Sequence, residues 1–283
     1  MALERPRGGE VRALLLGGRS LRLEGLDPPL AEEMQRRWGP FLSRHSTAEP
    51  FCTLRFFSGG RRRWLERSYG ESYRIEAVND PPQRVVFSYN FAICADASPR
   101  TWRAALCDAP DEQPGRVFEN VVRYAVARMA LELGGFALHA AGVLREGRAY
   151  IFAGPSLSGK TTVVSRAAPA ESLGDDFALV VPADGGWQAP GLPFDNSERI
   201  TGTPPQGMFP VAGIWRLVQA EQNRVEGLPP GLAVASLLAC TAFPWAMPEE
   251  SATLVSHVRS YLEHGSFAHL HFTKRADFWE DLV

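Results

Sequence analysis

GPSLSGKTT, residues 154–162, contains one of only two lysines, Lys160 and Lys274, among the 30 Lys and Arg side chains of this 283-residue chain. The stretch satisfies the pattern GxxxxGK[ST] through Gly154, Gly159, Lys160 and Thr161. The apolar run before it, Ala149 to Ala153, predicts a strand, and TTVVSRAA after it predicts a helix. A glycine loop between a strand and a helix aims backbone N–H groups and a helix N-terminus at a phosphate. Glycines at its ends let the chain curl without a Cβ clash. Arginine is the default cation of this chain, so Lys160 is an exception that needs a reason. A compact ammonium on a thin stem enters such a loop, whereas a flat guanidinium is poorly accommodated. The loop residues Gly154, Ser156, Ser158, Gly159, Lys160, Thr161 and Thr162 are therefore the expected nucleotide-binding set.

A polyphosphate needs its charge neutralised before transfer, and Mg²⁺ takes a hydroxyl, one or two carboxylates and several waters. Thr161 offers the hydroxyl. SLGDDFALVV places Asp175 and Asp176 just before a strand-like run, one short helix beyond the loop, where a metal-side carboxylate is expected. ATP and Mg²⁺ are the cofactors this pattern implies.

Outward from the loop, the chain divides near residue 112. Residues 11–108 read as short strands (VRALLL, LRLEG, CTLRFF, SYRIEAV, QRVVFSY, FAICAD, TWRAALC) broken by turn chemistry. One helix interrupts them, PPLAEEMQRRWGPFL, with Glu32 and Glu33 expected near its positive end and Gly39 and Pro40 ending or kinking it. DAPDEQPG, residues 108–115, reads as a linker. Apolar residues then recur from Val117 to Leu133 with a helical period, and Gly134 and Gly135 supply the C-cap. FALHAAGVL, RAYIFA, FALVV, VAGIWRLV and FAHLHF read as strands, GLAVASLLAC as a buried helix and SATLVSHVRSYL as an amphipathic one. The expected architecture is α/β: a β-rich N-terminal domain over 1–112 and a nucleotide-binding domain with a mixed sheet over 113–283.

The remaining composition narrows the function classes. A net charge of -2 and 45% hydrophobic residues describe a globular chain with no global attraction to nucleic acid or anionic lipid. No apolar stretch approaches a membrane span and no secretory signal is evident, so a cytoplasmic location is expected, with no membrane and no nucleic-acid partner. Cys52, Cys94, Cys107 and Cys240 form no CxxC pair and read as reduced, buried residues. His269 and His271 lie on one face of a strand-like run, which reads as a histidine-bearing strand face rather than a metal site. Arg61 to Arg63 with Arg67 read as a solvated hairpin.

FALHAAGVLREGRAYIFAGPSLSGKTT followed by ESLGDDFALV resembles the catalytic domain of the HPr kinase/phosphorylase family, whose fold is related to the nucleotide domain of phosphoenolpyruvate carboxykinase. The later stretches are similar to smaller HPr-kinase-like proteins, some of them peptide-tailoring kinases of lasso-peptide pathways. The resemblance implies that His139 lies near the transferred phosphate, that Lys160 and Thr161 serve phosphate and metal, and that Asp175 and Asp176 are metal-side acids. Pro155 stands where that family carries an aspartate that serves as general base toward a seryl hydroxyl, and the family's later signature is not evident here.

Two functions follow as expectations. One is an ATP-dependent kinase that moves the γ-phosphate to a hydroxyl, a serine of a peptide or protein, with Lys160, Asp175, Asp176 and His139 as catalytic residues. The other is a nucleotide-binding regulatory or scaffold protein without transfer. Asp175, Asp176, His139 and Asp195 are the candidate bases, with Asp176 preferred. Arg199 and Arg216 are candidates for stabilising charge on the transferring group. The N-terminal domain carries no chemical motif and is expected to serve substrate recognition or association, and homo-oligomerisation is left open.

Overall fold

The computed structural model describes residues 5–44, 49–66, 74–80, 83–95, 100–108, 113–166, 171–194, 203–243, 248–273 and 278–282. Two compact units divide the chain, the change-over falling between Val126 and Ala127. Among the described residues no helix is long and apolar enough to cross a membrane.

In the first unit, alternating apolar residues build β1 (Glu10–Leu16), β2 (Arg19–Leu26), β3 (Leu42–Ser43), β4 (Cys52–Ser58), β5 (Glu76–Asp80), β6 (Gln83–Phe87), β7 (Phe91–Ala95) and β8 (Thr101–Leu106). They form one mixed sheet of order β3-β1-β2-β4-β8-β7-β6-β5. β2 pairs parallel with β4, and β4 parallel with β8; the hairpin partners are antiparallel. A parallel β2–β4 pair needs a crossover, and α1 (Pro28–Trp38) supplies it. Gly39 ends α1 and a short 3-10 turn over Gly39–Phe41 follows, as the Gly-Pro pair predicts. The expected acidic pair is not in the first turn. Asp27 caps instead, its Oδ1 accepting from the Leu30 amide at 2.9 Å.

The buried side chains of this unit include Leu14, Leu21, Leu23, Leu54 and Phe56 of the strands and Met34 and Trp38 of α1. Phe118, on the first half of α2 (Pro114–Glu132), meets Phe56 in a tilted ring pair with centroids 4.6 Å apart and Trp38 in another at 5.6 Å. Each such side chain contributes about 1.5–3 kcal/mol by leaving water. Charges are buried with them: Glu119 on α2 is held by Arg37 and by the likewise buried Arg123, the latter at 2.6 Å. α2 ends as its sequence predicts. Gly134 adopts φ +86°, and the Gly135 amide reaches back to the Ala130 carbonyl at 2.8 Å.

The second unit contains β9 (Phe136–Leu138), β10 (Ala140–Arg145), β11 (Arg148–Ala153), α3 (Lys160–Ser165), β12 (Glu171–Gly174), β13 (Ala178–Ala183), β14 (Gly186–Pro190), β15 (Met208–Gln219), β16 (Arg224–Gly227), α4 (Pro230–Leu238), α5 (Pro248–His264) and β17 (Phe267–Phe272). The stretch FALHAAGVL is two strands, not one, broken at His139. The sheet runs β12-β10-β11-β15-β14-β13-β9, with β17 beside β15 and β16 beyond β17. β15 serves both halves: Met208 to Pro210 pair antiparallel with β14, while Ile214 to Arg216 lie between parallel partners β11 and β17.

α3 covers one face of this sheet. Val163 and Val164 pack with Phe152, Trp215, Leu217, Leu270 and Phe272 in a single buried cluster that also takes in Phe278 and Trp279. The alternation that places Trp215 and Leu217 there puts Arg216 on the other face, toward α4. α4 is half-exposed rather than buried, since Leu232 is 54% exposed while Leu237 is fully covered. Its apolar composition made it look like an interior helix. The four cysteines are free and buried, as expected.

Candidate functional site

β11 lies between antiparallel β10 and parallel β15, so residues 154–159 leave the end of an interior strand. The Ser158 amide donates to the Pro155 carbonyl at 3.2 Å, closing a tight turn. Leu157 at the tip adopts φ +66°, and its carbonyl accepts from Gln219 Nε2 at 2.8 Å. Gly159 caps α3 in the left-handed region at φ +109°, and a Cβ there would lie 2.3 Å from Phe272 Cζ. Both constraints require glycine at this position. Neither Gln219 nor Phe272 was visible as a loop partner in the sequence.

Lys160 opens α3 and is 93% covered, its side chain 7% exposed. Its Nζ donates to the Gly154 carbonyl at 2.9 Å and the Pro155 carbonyl at 3.0 Å, and lies 3.4 Å from Asp176 Oδ1. Three donors thus meet two carbonyls and one carboxylate, which is what makes burial of the ammonium tolerable.

The two acids converge on the loop from the turn between β12 and β13. Thr161 Oγ1 donates to Asp175 Oδ2 at 2.9 Å. Asp175 is only 2% exposed, and burial pushes its carboxyl above the usual carboxylate range; the Thr161 bond opposes this, and the neighbouring Asp176 charge adds to it. Asp176 holds φ +68°, a conformation that aspartate tolerates better than most residues, and its side chain is 30% exposed. One acid therefore faces inward to Thr161 and the other toward the lysine and solvent.

His139 sits in the break between β9 and β10. It is exposed. Its backbone ties the site together: its carbonyl accepts from the Gly154 amide at 3.1 Å, and its amide donates to the Cys240 carbonyl at 2.8 Å. β9 pairs with β13 through Leu138 and Ala178, which brings the chain before Ala178, including Asp176, alongside His139. Burial raises the Cys240 thiol, against the pull of the Arg216 and Lys160 charges. Arg216 pairs in register with Ala153, the last strand residue before the loop, and its Nη1 donates to Ser236 Oγ at 2.9 Å. Ser156 is exposed at the loop surface, and Thr162 lies half-buried in the first turn of α3. Asp195, Glu198 and Arg199 lie outside the described residues, as do Arg67 and part of the linker stretch 108–115.

Two orphaned atoms test whether a metal-nucleotide suits these residues. Asp175 Oδ1 and Ser158 Oγ are buried and have no hydrogen-bond partner. A carboxylate oxygen without a donor beside a threonine hydroxyl suits a hard cation, and an unpaired serine hydroxyl within a glycine loop suits a phosphate oxygen. The residues present fit both groups.

The molecule so defined is a mixed α/β protein with two mixed sheets and a glycine loop leading from an interior strand into a helix. The chain belongs to the family described as SynChlorMet cassette protein ScmC, whose model matches residues 106–261, more than half of its 283 residues. No curated protein matches it. The family description names no reaction, so the activity has to be argued from the site.

Proposed function

We propose that this protein is an HPr-kinase-like, ATP-dependent kinase that transfers the γ-phosphate to a hydroxyl, a serine of a peptide or protein, in the cytoplasm. The observation that carries the reading is the convergence of Lys160, Thr161, Asp175 and Asp176 on one loop. Mere nucleotide binding seldom requires a buried carboxylate with an unpaired oxygen set against the loop hydroxyl.

In this reading the loop amides and Lys160 bind the β- and γ-phosphates, and Ser158 adds a donor. Thr161 and Asp175 would hold Mg²⁺, which when bound supplies charge neutralisation for the polyphosphate. Asp176, ion-paired to Lys160 yet partly exposed, accepts the proton of the incoming hydroxyl. The hydroxyl oxygen bonds to the γ-phosphorus as the bond to the bridging oxygen breaks, and ADP leaves with that electron pair. Asp176 thereby takes the place of the base that Pro155 cannot supply. His139, exposed beside the loop, donates to a phosphate oxygen, and the first unit selects the acceptor.

Pro155 also supports a second reading, a scaffold that holds ATP without transferring it. Incubation of the chain with γ-labelled ATP and serine-containing peptides separates the two. Label in acid-stable phosphoserine is the expected result; label found only as free phosphate, or left in ATP, sinks the kinase reading.

A further inference from the structure

The alternation of FAHLHF places His269 and His271 on one face of β17, two residues apart. By itself that spacing describes only a strand face. The fold adds a third group: β16 pairs antiparallel with β17, with Glu226 opposite His269 and Arg224 opposite His271. One imidazole nitrogen of each histidine and a carboxylate oxygen of Glu226 lie within 4.8 Å of one another. His271 Nε2 and Glu226 Oε2 are 2.6 Å apart.

We infer that Glu226, His269 and His271 form a binding site for a divalent transition-metal ion of the zinc class, separate from the magnesium position at Thr161 and Asp175. Two imidazoles and one carboxylate are borderline donors that suit zinc, whereas magnesium prefers oxygen alone. Three protein ligands leave a fourth position open, the arrangement of zinc sites that bind water or substrate. Glu226 lies on exposed β16 at the sheet edge, so an ion reaches the site without unfolding anything.

An outer shell is already in place. Ser236 Oγ lies 2.8 Å from His269 Nε2 and accepts from Arg216 Nη1 at 2.9 Å, which fixes the orientation of the His269 ring. The opposing element is Arg224, whose Nη2 is 3.4 Å from His271 Nε2 and 3.6 Å from Glu226. Its side chain is 63% exposed and can turn into solvent. That charge makes the inference specific, because removing it strengthens cation binding and does nothing useful for a trio held only by hydrogen bonds.

The test is calorimetric titration of the full, chelator-treated chain with Zn²⁺ in the absence of nucleotide. One zinc per chain is expected. His271→Ala and Glu226→Gln each weaken the dissociation constant by about tenfold or more, and Arg224→Gln tightens it roughly two- to fivefold. Lys160→Ala leaves zinc binding at the parental level while it weakens ATP binding, so the two sites fail or succeed separately. No stoichiometric zinc, or equal affinity in the parent, His271→Ala and Glu226→Gln proteins, overturns the site.

Discussion

Thr161 Oγ1 donates to Asp175 Oδ2 at 2.9 Å, joining the first turn of α3 to the acid that follows β12. This contact binds the hydroxyl of the GxxxxGK[ST] pattern to a carboxylate whose second oxygen is buried and unpaired. A polar atom in that state costs stability unless a ligand completes it. The chain keeps such an atom where the proposed reaction needs a cation.

Asp175→Asn separates stability from binding. Its carboxyl is pushed up by burial, so between the ordinary carboxylate value and the raised folded value the folded chain holds more protons than the unfolded chain. Stability therefore falls as pH rises through that window, and the penalty is complete above it. Replacing the carboxylate stabilises the magnesium-free protein by on the order of 1 kcal/mol above the window. It also abolishes the rise in magnesium-nucleotide affinity with pH that loss of the Asp175 proton produces. Thermal melts and nucleotide titrations across pH read both effects; a destabilised variant with intact pH dependence contradicts the assignment.

Lys160→Ala removes a charge-assisted phosphate contact worth about 1.5–3 kcal/mol, so ATP affinity drops by roughly 10- to 100-fold. Lys160→Arg does not restore it, because the guanidinium does not fit a seat whose ammonium touches two carbonyls at 2.9 and 3.0 Å. Calorimetry with ATP and magnesium measures both, and parental affinity in either variant means the nucleotide binds elsewhere.

Asp176→Asn is expected to retain ATP binding and to lose transfer by roughly 100-fold or more, the usual worth of a general base. His139→Ala, at an exposed position, leaves the melting temperature unchanged and lowers transfer by about tenfold through one lost phosphate hydrogen bond. If Asp176→Asn transfers label at the parental rate, proton acceptance lies with another group.

Gly159→Ala tests the cradle itself. Its φ of +109° and the 2.3 Å approach of a new Cβ to Phe272 together predict a loss of about 2 kcal/mol or more, since the Phe272 ring is locked in the core cluster. Pairing it with Phe272→Leu recovers part of that loss by opening space, without relieving the backbone strain. Denaturant unfolding of the single and double variants distinguishes the two contributions, and full stability in the single variant contradicts the constrained geometry.

Local chemistry was enough to read every strand of the first unit except the two-residue β3, the period and glycine cap of α2, and the strand–loop–helix around Lys160, because alternation, helical period and glycine conformations are written in neighbouring residues. The placement of Asp175 and Asp176 near Lys160 was inferred from spacing, but their division of labour was not legible. Burial of one and partial exposure of the other depend on β12 pairing with β10 and β13 with β9, a choice made between stretches far apart in the chain. His139 shows the same limit: FALHAAGVL reads as one strand, and only its pairing with β13 on one side and β11 on the other breaks it and exposes the histidine. Glu226 meets His269 and His271 through antiparallel register alone. An alternating pattern tells which face of a strand is apolar and carries no mark of which strand lies beside it, so those meetings belong to the tertiary structure.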